Sequence, residues 1–437
     1  MSAVVDPRVA LLAAPMSAYQ KVGIAVVLAL CMLDGFDVMA ISFAAPAIKA
    51  GWSISDSQMG FVLSSGLIGM AVGSLVLAPA ADVIGRRRMI FLSLFLMTAG
   101  TLWSAMTGNV VELMWSRVFT GLGIGAMIAI ISSLAAEYSN ARRRDFCQTI
   151  FGVGFAIGAL LGGVFAGQML PRYGWPSIFM AASIFGVIMF AVSWLFLPEP
   201  IAPMIARPKA DTLDRVNAYL KRCGMAPIST LPAPPDDARS APLKALFAPG
   251  MAPLTAFIAT IYFLHVITLF FVQAWAPSLV ARQGFAPGQA ALIAVWFNVG
   301  GIVCGPLLGY SSTRFGLKPL VVGALAFGAL MTAIFGSIPA DYFLLVIGSV
   351  AMGIGLQSGM MGLYASIART FPAHVRASGV GFVIGIGRIG SAIGPLMAGM
   401  LLSAGLTSAS VAIIMAVPSG LAALLLIKFP LRPPNTP

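Results

Sequence analysis

From Val22 to Ile48 the chain runs almost wholly apolar, and stretches of the same kind recur as far as residue 429, separated by short breaks rich in Gly, Pro and charge. A helix that crosses a bilayer needs about 20 such residues. The pattern predicts spans near 22–44, 57–80, 89–108, 110–135, 148–170, 175–197, 253–276, 288–310, 319–337, 342–365, 377–403 and 407–429, in two sets of six. Between Pro198 and Gly250 the hydropathy collapses, which divides the chain into an N-terminal bundle over 1–200, a linker over 201–250 and a C-terminal bundle over 251–437. In the linker Asp211 is placed to cap a short helix whose Leu213, Val216 and Leu220 share one face. Such a helix is expected to lie on the membrane surface, with a regulatory partner site as the alternative.

Composition agrees, because hydrophobic residues make up 59% and charged residues 9% of the chain, against roughly 25% charged in soluble proteins. The first 20 residues lack the basic-then-apolar order of a cleaved signal, so the first span is expected to persist as structure. A net charge of +12 could point to nucleic acid, but its placement is topological. Arg8, Lys21, Arg86 to Arg88, Arg142 to Arg144, Arg314, Lys318, Arg369, Arg376, Lys428, Arg432 and the linker's basic residues fall on one side. Lys49, Arg172 and Arg282 fall on the other, while Arg117 and Arg388 lie within spans. The positive-inside rule then puts the linker and both termini in the cytoplasm. Cys31, Cys147, Cys223 and Cys304 match no metal or disulfide spacing, so neither a metal nor a cofactor is implied.

A shift of 231 residues superposes the two halves over their first two spans: Pro46 on Pro277, Gly69 on Gly300, Gly85 on Gly316 and Arg87 on Lys318. Asp34 falls on His265, so each half puts an ionisable group at the same depth. Later the register slips by one, Gly121 and Gly123 matching Gly353 and Gly355. Repeats of this size mark transporters whose site lies at mid-membrane between the halves.

The break after the second span reads Ala78, Pro79, Ala80, Ala81, Asp82, Val83, Ile84, Gly85, Arg86, Arg87, Arg88, with Gly309, Arg314, Gly316 and Lys318 repeating its pattern. A tight turn needs Gly85, and Asp82 at a helix end can pair with basic groups or cap a neighbour. This resembles the signature loop of the major facilitator superfamily, carried here by Asp82, Gly85, Arg86 and Arg87, with Ala78 and Val83 as departures. The resemblance implies twelve transmembrane helices in two pseudosymmetric six-helix bundles, an all-α membrane protein that moves a solute by alternating access. In the fourth span Arg117, the glycines 121, 123 and 125, and Glu137 resemble the family's proton-coupling helix. A tether from Arg117 to a loop carbonyl is the structural alternative.

A narrower resemblance rests on Asp34, Gly35, Phe36, Asp37 in the first span and on Gly385, Ile386, Gly387, Arg388, Ile389, Gly390 in the eleventh. Together they are similar to the aromatic acid:proton symporters. His265 and Gln273 stand where amides are expected, and Pro176 where an Arg often follows Gly-Trp. The resemblance implies a small aromatic carboxylate as substrate, protons as the driving ion, no cofactor, and a functional monomer in the bacterial inner membrane.

The residues support a coherent chemistry on their own. Asp34 and Asp37, three apart, share a helix face with about 5–6 Å between Cβ atoms, and two carboxylates that close in low dielectric cannot both ionise cheaply. They are candidates to hold the transported proton, with Glu137 and Arg117. Arg388 offers a permanent cation whose planar fork can clamp a carboxylate; a structural Asp34–Arg388 pair is the alternative. His265, Tyr262, Gln273, Trp296 and Asn298 are candidates to line the substrate site, although aromatic residues in spans more often pack or face lipid. A drug exporter of the same fold would need the acids without a central Arg, and no nucleotide-binding loop is present to suggest ATP-driven pumping.

Overall fold

A computed structural model describes residues 6–206, 208, 211–232, 243–372 and 375–428. Twelve long helices dominate it: α1 Ala18–Trp52, α2 Asp56–Ile84, α3 Arg86–Met106, α4 Val110–Tyr138, α5 Arg144–Tyr173, α6 Pro176–Phe196, α7 Ala252–Ala281, α8 Pro287–Phe315, α9 Leu317–Phe335, α10 Tyr342–Thr370, α11 Arg376–Ser403 and α12 Ser408–Lys428. Among the described residues there is no strand. Eleven of these helices are long and apolar enough to cross a membrane, and α8 carries a shorter apolar stretch over Pro287–Val303.

Several helices run past the apolar windows that announce them, because polar caps extend them. The Ser17 hydroxyl accepts from the Gln20 amide at 3.2 Å while the Gln20 side chain accepts from the Ser17 amide at 2.9 Å, so α1 starts before its apolar stretch. Ser55 and Gln58 repeat the box at α2, and Asn109 caps α4 through the Glu112 amide at 2.9 Å. Large apolar side chains left exposed on the outside, such as Trp115, Trp194, Leu195 and Phe343, are what a lipid-facing surface requires.

The repeat is visible in the packing. A side chain at Gly121 of α4 would collide with the Gly66 carbonyl of α2, and one at Gly353 of α10 with the Phe297 carbonyl of α8. Residues 66 and 297 are themselves 231 apart, so each half joins its second and fourth helices through the same bare-backbone approach. Gly85 and Gly316 close the α2–α3 and α8–α9 breaks with φ of 104° and 79°, a region that disfavours side chains. Just beyond, Arg87 donates to the Trp194 carbonyl at 2.9 Å and Lys318 to the Ile427 carbonyl at 2.8 Å, which ties α3 to α6 and α9 to α12.

The halves meet most tightly at the end opposite the linker. There the Ser57 amide donates to the Ser403 hydroxyl at 2.6 Å, Arg282 reaches Asp56 at 2.9 Å, and the Ser64 hydroxyl donates to the Ala392 carbonyl at 2.7 Å. Toward the linker end, a side chain at Gly381 or Gly385 of α11 would meet nothing within 4 Å. The bundle is closed at one end and opens toward the other.

The linker helix Thr212–Arg222 departs from the sequence expectation. Val216, Tyr219 and Leu220 are buried against Leu11, Ile201 and Ile205, so its apolar face is covered by the short helices Pro7–Ala13 and Ile201–Ala206 rather than by lipid. Asp211 makes no capping bond and instead stands 3.8 Å from Arg215.

Candidate functional site

Asp34 and Asp37 both lie at the middle of α1, fully buried, but their surroundings differ. The Thr101 hydroxyl of α3 reaches both Asp37 carboxylate oxygens at 2.9 Å. Arg117 of α4 stands 3.5 Å from one of them and donates to the Asp37 main-chain carbonyl at 2.9 Å, with its guanidinium 5.5 Å from the Phe179 ring centre. Asp37 therefore has a cation, a hydroxyl and low exposure. Asp34 has neither bond: both of its carboxylate oxygens are buried without a hydrogen-bond partner. A buried carboxylate is costly unless its charge is matched.

Arg388 projects from α11, half-buried, and no ion pair joins it to Asp34. Gly381, Gly385 and Arg388 recur at four and three residues, on one face of α11. The two glycines border open space on the face of α11 that carries Arg388. The Tyr262 ring packs directly onto Gly387, next to Arg388, and lies 5.9 Å from the Tyr364 ring. Tyr262 of α7, Tyr364 of α10 and the Gly387–Arg388 pair of α11 thus lie together, while the unpaired Asp34 sits at the middle of α1.

A second recess, about 20 Å³, lies between Arg117, Ser42 and Met70 on one side and Phe270 and Gln273 on the other. It has room for about one water molecule. The side-chain oxygen of Gln273 is buried without a partner there. Asn298, also buried, donates to the Ala294 carbonyl at 2.8 Å and leaves its own oxygen unpartnered.

The remaining candidates fall elsewhere. His265 is buried with one ring nitrogen 3.0 Å from the Ser419 hydroxyl and the other 3.0 Å from the Leu356 carbonyl, so both are engaged in holding α7 to α10 and α12. Trp296 is 39% exposed, on the outside of α8. Glu137 pairs with Arg86, which also donates to the Ser133 hydroxyl at 2.6 Å, so it belongs with the α2–α3 break and not with Asp34 and Asp37. That grouping follows from the fold, since the end of α4 and the start of α3 meet at the linker end. The side chain of Asp82, in the last turn of α2, lies outside the described residues. Thr101 and Tyr364 were not visible as site residues in the sequence. Neither sits in a motif, and a single Thr or Tyr in a span carries no signal.

The profile of the Major Facilitator Superfamily matches residues 27–288 and 258–437. A gallate transporter of Pseudomonas putida is 29% identical, over 94% of this chain and 92% of that protein. The 4-hydroxybenzoate transporter PcaK of Acinetobacter baylyi is 27% identical over 94% and 91%, and a 3-(3-hydroxy-phenyl)propionate transporter of Escherichia coli is 28% identical over 86% and 85%. In structure the chain is similar to a D-xylose-proton symporter, with a TM-score of 0.73 at 17% identity over 94% of this chain and 98% of the other. At that identity the likeness concerns the fold.

Proposed function

This chain belongs to the Major Facilitator Superfamily, and on that premise we propose that it is a secondary active transporter that takes up an aromatic carboxylate together with a proton. The single observation that carries the proposal is the contrast on α1: Asp37 is engaged by Thr101 and Arg117, while Asp34 is buried with both carboxylate oxygens unpartnered. The relatives named for gallate, 4-hydroxybenzoate and hydroxyphenylpropionate support the substrate class.

The chemistry is one of charge exchange. Ionised, Asp34 competes for the Arg388 guanidinium. When a proton binds an Asp34 carboxylate oxygen, that claim lapses, and Arg388 can clamp the substrate carboxylate through two parallel N–H bonds. Tyr262 and Tyr364 offer ring faces for the aromatic body, and the bare Gly381 and Gly385 leave it room to pass. One proton and one carboxylate then cross with their charges balanced, so the gradient drives uptake without a cofactor. The arrangement is read as a monomer in a bacterial inner membrane, the linker and both termini in the cytoplasm.

Proteoliposomes loaded with buffer and given an inward proton gradient test this. Labelled 4-hydroxybenzoate and gallate are expected to accumulate above equilibrium, and Asp34→Asn is expected to equilibrate or exchange substrate without accumulating it. Accumulation by Asp34→Asn at the wild-type level would overturn the assignment.

A further inference from the structure

At the linker end, between the start of α1, the end of α6 and the helix Thr212–Arg222, lies a cavity of about 240 Å³ outside the transport site. Arg87, Arg215 and Arg222 line it, with Glu199 the one carboxylate among its lining residues. Glu199 is matched by Arg215. The other two arginines have no ion-pair partner among the described residues. Arg222 lies 5.3 Å from the Tyr19 ring centre and donates to its hydroxyl at 3.0 Å. Arg87 stands over Phe91 and Trp194, and its Nε is buried with no hydrogen-bond partner. Arg215 answers Glu199 and, at 3.8 Å, Asp211, so the cavity keeps two guanidinium groups, Arg87 and Arg222, that are held in place by aromatic rings and have no ion pair of their own among the described residues.

Fixed guanidinium forks suit a phosphate, whose oxygens accept several N–H bonds at once. The rim indicates which phosphate. Trp194, Leu195 and Phe196 end α6 beside the cavity and are 62%, 71% and 52% exposed, which gives an apolar border fit for acyl chains. A soluble phosphate would have no use for that border. We propose that the cavity binds the headgroup phosphate of an anionic phospholipid, which would fasten the linker helix and the start of α1 to α3 and α6. Basic pockets between helices on the cytoplasmic side are suited to such headgroups.

Native mass spectrometry of the full-length protein in detergent, titrated with phosphatidylglycerol, phosphatidylcholine or inorganic phosphate, tests it. The wild type is expected to retain phosphatidylglycerol in preference to phosphatidylcholine. Arg222→Gln is expected to weaken that retention about fivefold, as for one basic residue at an anionic surface, and Arg222→Lys to restore most of it. Glu199→Gln removes the opposing charge and is expected to tighten it, a readout that survives if Arg222→Gln fails to fold. Equal retention of the two lipids, or no change in either charge variant, would overturn the proposal. Displacement of the lipid by millimolar inorganic phosphate would also overturn it, by assigning the cavity to a soluble phosphate.

Discussion

Asp34 of α1 and His265 of α7 stand at equivalent positions of the repeat, yet their neighbours treat them in opposite ways. Both nitrogens of His265 are occupied by Ser419 and Leu356, whereas neither oxygen of Asp34 has a partner. Around them the scaffold is shared: the Gly121 and Gly353 contacts, the Gly85 and Gly316 turns, and the ties from Arg87 and Lys318 to the last turns of α6 and α12 recur in both halves. The difference teaches that the repeat kept its joints and changed its centre. The N-terminal half holds a buried carboxyl group without a hydrogen-bond partner, and the C-terminal half holds at the equivalent position a histidine with both nitrogens engaged.

Exchanging the two equivalent groups for neutral ones should have the largest effect and could break the comparison outright. Asp34→Asn is expected to lose gradient-driven accumulation completely. His265→Gln is expected to keep it, at a stability cost of about 1–3 kcal/mol from the hydrogen bonds that the shorter amide fails to make. Uptake in proteoliposomes and thermal unfolding of the same samples read the two effects separately. If His265→Gln abolished accumulation while the protein stayed folded, the proton chemistry would have to be shared between the halves. Asp37→Asn sits between the two, because its partners Thr101 and Arg117 would lose a charge rather than a proton carrier.

Arg388→Lys sharpens the other side of the comparison. It keeps the charge but loses the planar fork, so substrate affinity is expected to fall by about 1–3 kcal/mol while the pH dependence of uptake persists. Binding by isothermal calorimetry, set against accumulation, checks this. Undiminished affinity in Arg388→Ala would remove the anion clamp from the C-terminal half.

Much of this was legible in the sequence, for reasons that also explain what was not. Charged side chains at bilayer depth stand out because they are costly there, so the sequence singles out Asp34, Asp37 and Arg388 as candidates, and the structure adds their burial. The glycines at 85 and 316 were legible because a turn needs them twice at one spacing. What the sequence did not hold was partnership. Thr101 is 64 residues from Asp37, and Ser419 is 154 residues from His265, and only the fold brings each pair together. The same limit let Glu137 be grouped with the proton site when Arg86 holds it at the α2–α3 break. The linker helix was read correctly in its periodicity, but not in what covers it, since the short helices that meet its apolar face carry no pattern of their own.

If the joints are equivalent, damage to them should be equivalent too. Gly85→Ala and Gly316→Ala each put a Cβ on a residue at positive φ and are expected to cost about 1–3 kcal/mol, in similar measure. Both are expected to slow exchange between the two openings more than they weaken substrate binding, since the turns sit at breaks between helices and not within a span. Exchange rates measured between equal substrate pools, alongside binding, decide the matter. A strong effect at Gly85 with none at Gly316 would mean that only the N-terminal turn takes part in the transition.

The smallest effect is expected where the halves touch. Asp56 of the N-terminal half accepts from Arg282 of the C-terminal half and also pairs with Lys49 of its own. Removing Arg282 therefore leaves Asp56 with a cation and no unpaired charge. Arg282 is 36% exposed in its side chain, so water and salt screen the contact, and Arg282→Gln is expected to shift the balance between open and closed ends by only about 0.2–1 kcal/mol. Removing Asp56 is different, because Lys49 and Arg282 are then left near one another without an acid. Asp56→Asn should open this end more than Arg282→Gln does, and adding Arg282→Gln to it should recover part of the loss. The labelling rate of Ser64→Cys, in a background whose four native cysteines are replaced by serine, reports the opening directly because Ser64 is buried at the seam, where its hydroxyl donates to the Ala392 carbonyl. Equal effects of the two single variants, adding without interaction in the double variant, would show that the ion pair does not hold the two halves together, and that the Ser57–Ser403 and Ser64–Ala392 hydrogen bonds close this end without it.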